Sequence, residues 1–235
     1  MAKPLQIFIG YDSKETVAYH VLVHSIMRHA SGPVSITPLI QSQLRDAGLY
    51  LRERGPTEST EFSMTRFLVP HLCGFGDYAL FLDCDMLCQG DVYDLVNIAK
   101  ADELRAVWCV KHDYTPKTKI KFLGQQQTMY PRKNWSSVML FRNKYCERLT
   151  TGYVNSASGI DLHRMAWAGV NQNIGDLPME WNWLVGEYEQ KPDAKMLHYT
   201  LGTPCFADYA NCEQSDLWWM EYERMMLPVK KVKVP

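Results

Sequence analysis

No run of about 18 apolar residues occurs in the 235-residue chain, so no membrane-spanning helix is encoded. The seven cysteines (73, 84, 88, 109, 146, 205 and 212) contain no C-x-x-C pair. Zinc-site spacing is therefore missing, and the odd count argues against a disulfide framework. An excess of positive charge is also missing. Lys plus Arg is 25 against 26 for Asp plus Glu, a net charge of −1, whereas a nucleic-acid binder needs a basic face. No nucleic-acid partner is expected. No internal repeat or low-complexity linker interrupts the text, and a chain of this length favours one domain. What is present is core material: 46% of residues are hydrophobic, which excludes intrinsic disorder as a reading. Free cysteines inside apolar runs, such as Cys109 in AVWCV, behave as small hydrophobes. They point to a reduced, cytoplasmic protein.

Strand-like and helix-like segments alternate, which predicts an α/β layered domain. Leu5–Gly10 reads as a first strand and is too short for a secretion signal. Ser13 is placed to cap a helix whose Ala18, Val21, Leu22, Ser25 and Ile26 recur at helical spacing. Val34–Thr37 is a second strand, and a helix is expected from about Ser63 to Leu72, bent or shortened by Pro70. Further strands are expected at 78–82, 104–110 and 137–141, with 145–168 mostly helical. The closing Lys230, Lys231 and Lys233, with no acid among them, read as a solvated tail. Weak contact with a membrane surface is its functional alternative. The histidines at 20, 24, 29 and 71 are expected to be structural.

The most informative stretch is Leu80-Phe81-Leu82-Asp83-Cys84-Asp85. Two carboxylates at i and i+2 follow an apolar strand, the end at which open α/β sheets bind ligands. While the chain is extended both point to one face, where they repel. A divalent cation with oxygen ligands would relieve that repulsion; a pair of solvated turn acids is the plainer alternative. Two metal-dependent enzyme classes place D-x-D after a strand. Haloacid-dehalogenase-like phosphatases carry it near the N-terminus, followed by Thr or Val, with later Ser/Thr, Lys and acidic motifs. Here it lies at residue 83, after two apparent strand–helix units, and continues Met86-Leu87. Nucleotide-sugar glycosyltransferases carry it after a nucleotide-binding half.

The run from Ser59-Thr60-Glu61-Phe62-Ser63-Met64-Thr65-Arg66 through Tyr78-Ala79-Leu80-Phe81-Leu82-Asp83-Cys84-Asp85 to Asp94-Leu95 resembles glycosyltransferase family 8, the glycogenin and bacterial galactosyltransferase group. Ile7-Phe8-Ile9-Gly10-Tyr11-Asp12 resembles its first strand and uridine-binding loop, and His198-Tyr199-Thr200-Leu201-Gly202-Thr203-Pro204 its terminal metal and phosphate motif. The resemblance implies a GT-A-type, Rossmann-like nucleotide-sugar-binding domain with a mixed central sheet. It would divide into a nucleotide-binding half at about 1–100, an acceptor-side half at about 101–210 and a C-terminal helix and tail at 211–235. Asp83, Asp85 and His198 would hold Mn²⁺ or Mg²⁺, with the imidazole favouring manganese. Gly10, Tyr11, Asp12, Arg66, Asp83 and Gly202 would bind a UDP-sugar donor, Arg66 pairing with Asp83 or the sugar through its fork of donors. Leu177-Pro178-Met179-Glu180-Trp181-Asn182 resembles an acceptor-side segment. There Trp181 would pack against a sugar ring of a glycan or glycoconjugate acceptor, and Asn182 would bond its hydroxyls.

Three departures stand out. Thr203 precedes Pro204 where the family has Lys, Phe206 stands where Trp is expected, and the D-Q-D signature has no counterpart around Asp161-Leu162-His163. An inverting transferase would need a general base near the acceptor hydroxyl, and Asp161 and His163 are the candidates. The runner-up among enzymes is a metal-dependent phosphatase or nucleotidyltransferase using the D-x-D. Because of the departures, a module that binds nucleotide sugar without turnover is the alternative from outside the enzymes.

Overall fold

A computed structural model describes residues 3–55, 58–102, 104–117 and 132–227; the lysines of the basic tail lie outside them. The chain opens β1 (Leu5–Gly10), α1 (Thr16–His29), β2 (Val34–Leu39), α2 (Gln41–Asp46), α3 (Val69–Leu72), β3 (Tyr78–Leu82) and β4 (Met86–Cys88). It continues with α4 (Tyr93–Ala101), β5 (Val107–Cys109), β6 (Val138–Arg142), α5 (Thr151–Ser156), α6 (Gly159–His163) and β7 (Ile174–Asp176). Then come β8 (Trp183–Leu184), β9 (Met196–His198) and α7 (Ser215–Met226). A six-stranded sheet runs β2-β1-β3-β6-β5-β7. In it β6 is antiparallel to both its neighbours, β3 and β5, while β1 lies parallel to β2 and β3 and β5 parallel to β7. The expected mixed central sheet is therefore present.

Strands covered on both faces read as continuous apolar runs rather than alternating ones. Ile7, Ile9, Leu80, Phe81, Leu140 and Phe141 are fully buried accordingly. Helix α1 buries the expected stripe, including Val21, Leu22 and Ile26, each worth about 1.5–3 kcal/mol on burial. Its back face meets α7, where Glu221 accepts from Arg28 Nη2 at 2.9 Å and bonds His24 Nδ1 at 2.7 Å.

Three local expectations are corrected. The α1 boundary residue is Glu15, not Ser13, whose hydroxyl instead donates to Glu61 Oε1 at 2.6 Å. The 63–72 segment is a 3-10 turn, Thr65–Leu68, followed by α3, with Pro70 in the first helical turn, where its missing N–H costs nothing. The 145–168 stretch breaks into α5 and α6 because Ala157 and Ser158 turn extended and the Ser158 hydroxyl caps the second helix.

Sheet topology gathers the site. β1 and β3 are parallel, with Ile9 opposite Leu82, so Gly10–Asp12 and Asp83–Asp85 leave the same sheet edge. Directly after Asp85 the chain enters a second sheet, β4-β9-β8. Its register sets Met86 opposite His198, and Tyr199 N donates to the Asp85 carbonyl at 2.9 Å.

Candidate metal centre and active site

One ligand atom from each of Asp83, Asp85 and His198 lies within 4.8 Å of the others. Arg66 holds Asp83 from behind: Nη1 stands 2.8 Å from Oδ1, both side chains being nearly buried. The guanidinium also donates to the carbonyls of Ser136 (2.8 Å) and Ser63 (3.1 Å). It sits over the Phe62 and Phe81 rings, at 5.2 and 5.0 Å. Its expected pairing with Asp83 is what the geometry shows. Burial outweighs Arg66 and, with the Asp85 charge, holds the Asp83 carboxyl above its ordinary value.

The orientation of His198 follows from Asn182. The Asn182 amide nitrogen donates to the Asn134 carbonyl at 3.1 Å, and a carbonyl can only accept. Its Oδ1 is therefore the atom 2.8 Å from His198 Nδ1, so Nδ1 carries the proton. In the neutral ring Nε2 is then a bare lone pair, and it lies 3.3 Å from Asp85 Oδ1. Two electron-pair donors at that distance repel unless a cation or proton lies between them. Asp83 Oδ1, by contrast, already faces the Arg66 guanidinium at 2.8 Å. Two carboxylates and an imidazole with an outer amide fixing its tautomer suit a divalent cation.

The remaining expected site residues fall differently. Asp12 is buried with both oxygens occupied by backbone, Oδ1 accepting from Lys14 N (3.0 Å) and Oδ2 from Glu61 N (3.1 Å). It shapes the loop after β1. Tyr11 is half-buried, its hydroxyl 2.8 Å from Thr16 Oγ1. Gly10 and Gly202 answer to packing: a Cβ at Gly10 would stand 2.3 Å from the Phe62 ring, and one at Gly202 (φ 155°) 2.6 Å from Tyr209. Trp181 is 3% exposed inside the core, so its ring has no open face for a sugar. Asn182 is fully buried, and its amide orients His198 instead of meeting an acceptor. Asp161 lies exposed at the start of α6, accepting from the Ser158 hydroxyl at 2.7 Å. His163 Nδ1 lies 2.8 Å from Ser136 Oγ. Burial, with the Arg66 charge behind it, pushes its pKa down to about 3, which makes it a weak base at neutral pH.

Sequence reasoning missed Glu15. It is 1% exposed at the mouth of α1, receives the Cys84 thiol at 3.7 Å, and its Oε1 has no hydrogen-bond partner. Burial, then the charges of Asp85, Asp12 and Asp83, hold its carboxyl well above the ordinary value. An acid at a helix start normally reads as a solvated first-turn charge, so only its position behind D-x-D distinguishes it.

No family model matches the chain. It is 45% identical over 236 residues to Protein CDI of Arabidopsis thaliana, covering 97% of this chain and 90% of that protein. Among solved structures, the glycosyltransferase GlyE of Streptococcus pneumoniae TIGR4 superposes with a TM-score of 0.62 at 15% identity, over 96% of this chain. The chain spans 62% of GlyE's length. The galactosyltransferase LgtC, solved with donor and acceptor sugar analogues, gives 0.57 at 12% identity, over 97% of this chain and 98% of LgtC. Mouse xyloside xylosyltransferase 1 gives 0.53 at 11% identity, over 84% and 98% of the two chains. The fold is the GT-A glycosyltransferase fold.

Proposed function

The chain belongs to the same family as Protein CDI of Arabidopsis thaliana, and on its GT-A fold we propose that it is a metal-dependent hexosyltransferase using a UDP-linked donor. The acceptor is a hydroxyl of a glycan or glycoconjugate, and the reaction is cytoplasmic. Among the described residues no helix is long and apolar enough to cross a membrane. One observation carries the reading: ligand atoms of Asp83, Asp85 and His198 converge within 4.8 Å, His198 Nε2 facing Asp85 Oδ1 at 3.3 Å while Nδ1 is held by Asn182.

Asp83, Asp85 and His198 would hold Mn²⁺, or Mg²⁺ in its place. The ion would supply positive charge to the diphosphate as the glycosidic bond breaks. Arg66 keeps Asp83 in place and so pre-organises the ligand set. The loop from Gly10 to Asp12, at the same sheet edge, would take the nucleoside, with the half-buried Tyr11 ring available to the base. On this reading the nucleotide-binding half (about 1–100) and the acceptor-side half (about 101–210) would meet at the D-x-D. With no Lys before Pro204, neutralising the phosphates would fall mainly to the ion held by Asp83, Asp85 and His198. The Arg66 pair also speaks against phosphatase chemistry, in which Asp83 would have to attack phosphorus. That carboxylate is already tied to a guanidinium.

The test is a thermal-shift titration of UDP, UDP-glucose and UDP-galactose with and without Mn²⁺. Stabilisation that needs Mn²⁺ is the expected result, with UDP and an intact sugar or glycoside as products. Equal stabilisation in the presence of a chelator, or free phosphate as the direct product, would overturn the reading.

A further inference from the structure

A second buried imidazole lies close to the candidate metal centre and is not explained by it. His112 follows β5 and is 5% exposed. Its Nδ1 is 2.9 Å from the Tyr188 hydroxyl, its backbone carbonyl accepts from Trp135 Nε1 at 2.8 Å, and its Nε2 has no hydrogen-bond partner. Burial, with His198 nearby, pushes the His112 pKa down to about 3, so the ring is neutral. Burial likewise pushes the Tyr188 phenol up to about 12.

A buried polar atom left unsatisfied destabilises the fold, and such atoms in native folds call for an explanation. Aromatic rings surround this one. Tyr188 stacks on His112 at 5.8 Å, and Tyr114 meets the two rings edge-on at 6.0 and 5.7 Å. Trp183 lies 5.1 Å from Tyr188. Tyr114, Tyr188 and Trp183 are all part-exposed. The group is wired to the metal centre, because the Tyr114 hydroxyl accepts from the Asn134 side chain at 2.7 Å. The Asn134 carbonyl in turn holds Asn182, the partner of His198.

We propose that His112 binds a sugar hydroxyl through Nε2, with the Tyr114 and Tyr188 rings flanking the sugar. A hydroxyl both donates and accepts, so it satisfies Nε2 whichever way the Tyr188 bond sets the ring's tautomer. Part-exposed tyrosines offer apolar faces to a sugar ring with a polar handle at the edge. The sugar is either the hexose of the donor or the acceptor. The inference rests on the transferase reading above.

The test uses the full chain with Mn²⁺ and two titrations. The donor arm compares UDP with UDP-glucose and UDP-galactose. The acceptor arm adds methyl glycosides of glucose, galactose, mannose and xylose to the Mn²⁺–UDP complex. His112→Gln places an amide near Nε2, and His112→Asn places one near Nδ1. In one arm, the affinity gained from the sugar should fall roughly three- to tenfold in His112→Asn, as expected for one neutral hydrogen bond, and recover in His112→Gln. UDP–Mn²⁺ affinity should stay unchanged in both variants. The arm that responds identifies the sugar. The opposite pattern, with His112→Asn rescuing and His112→Gln failing, would assign His112 to holding Tyr188 and overturn the proposal. Unchanged sugar affinity in both folded variants, or no sugar-dependent gain in the wild type, would overturn it as well. Loss of Mn²⁺-dependent UDP binding by the wild type itself would be a failure of the transferase reading, and the UDP control makes it separately visible.

Discussion

Asn182 gives the sharpest test of how the metal centre is held. The side chain is fully buried, accepts from His198 Nδ1 at 2.8 Å and donates to the Asn134 carbonyl at 3.1 Å. Asn182→Ala removes the group that fixes the imidazole tautomer, while Asp83, Asp85 and His198 remain. Losing an outer partner of a metal ligand typically costs about 10–100-fold in metal affinity. At free ligand about 100-fold above its dissociation constant, binding stabilises the wild type by about 2.7 kcal/mol. A 10–100-fold weaker variant at the same concentration gains only about 0.4–1.4 kcal/mol. With about 2–4 °C per kcal/mol for a chain of this size, the Mn²⁺–UDP shift in Tm should drop from about 5–11 °C to about 1–6 °C. Differential scanning fluorimetry reads the shift, and isothermal titration of Mn²⁺ reads the affinity directly. A folded Asn182→Ala protein that binds Mn²⁺ as tightly as the wild type would refute the argument from the tautomer.

Asp85→Asn relieves repulsion among the clustered acids, so the metal-free variant should be at least as stable as the wild type in urea while Mn²⁺-dependent stabilisation by UDP disappears. An unstable variant that keeps that stabilisation would make Asp85 a structural carboxylate. Arg66→Met leaves Asp83 buried without its ion pair, which costs roughly 3–5 kcal/mol; a loss below about 1 kcal/mol in urea melts would contradict the geometry. For Glu15, the folded carboxyl is held well above its ordinary 4.5. Its favourable contribution is therefore complete below about pH 4.5 and is lost as pH rises toward the folded value. Metal-free Glu15→Gln should accordingly melt higher than the wild type at neutral pH, with the gap closing in acid. A gap constant from about pH 4 to about pH 8 would exclude this linkage.

The sequence alone determined the elements whose signals are local. Continuous apolar runs marked β1, β3 and β6, because strands covered on both faces need no polar alternation. The stripe of Ala18, Val21, Leu22 and Ile26 marked α1. Asp83 and Asp85 were legible from their spacing after a strand, and His198 from a short motif. The tertiary structure decided what depends on partners far along the chain. Asn182 and Trp181 sit side by side in one aromatic segment, and nothing in that text separates a buried ring from a sugar platform. Only the approach of β9 and Asn134 turns Asn182 toward His198. Glu15 and His112 look like ordinary loop residues until α1, the D-x-D turn and the Tyr188 segment close over them. Side-chain periodicity reports which face is covered, whereas the protonation and hydrogen bonding of a buried polar group depend on what the fold brings against it.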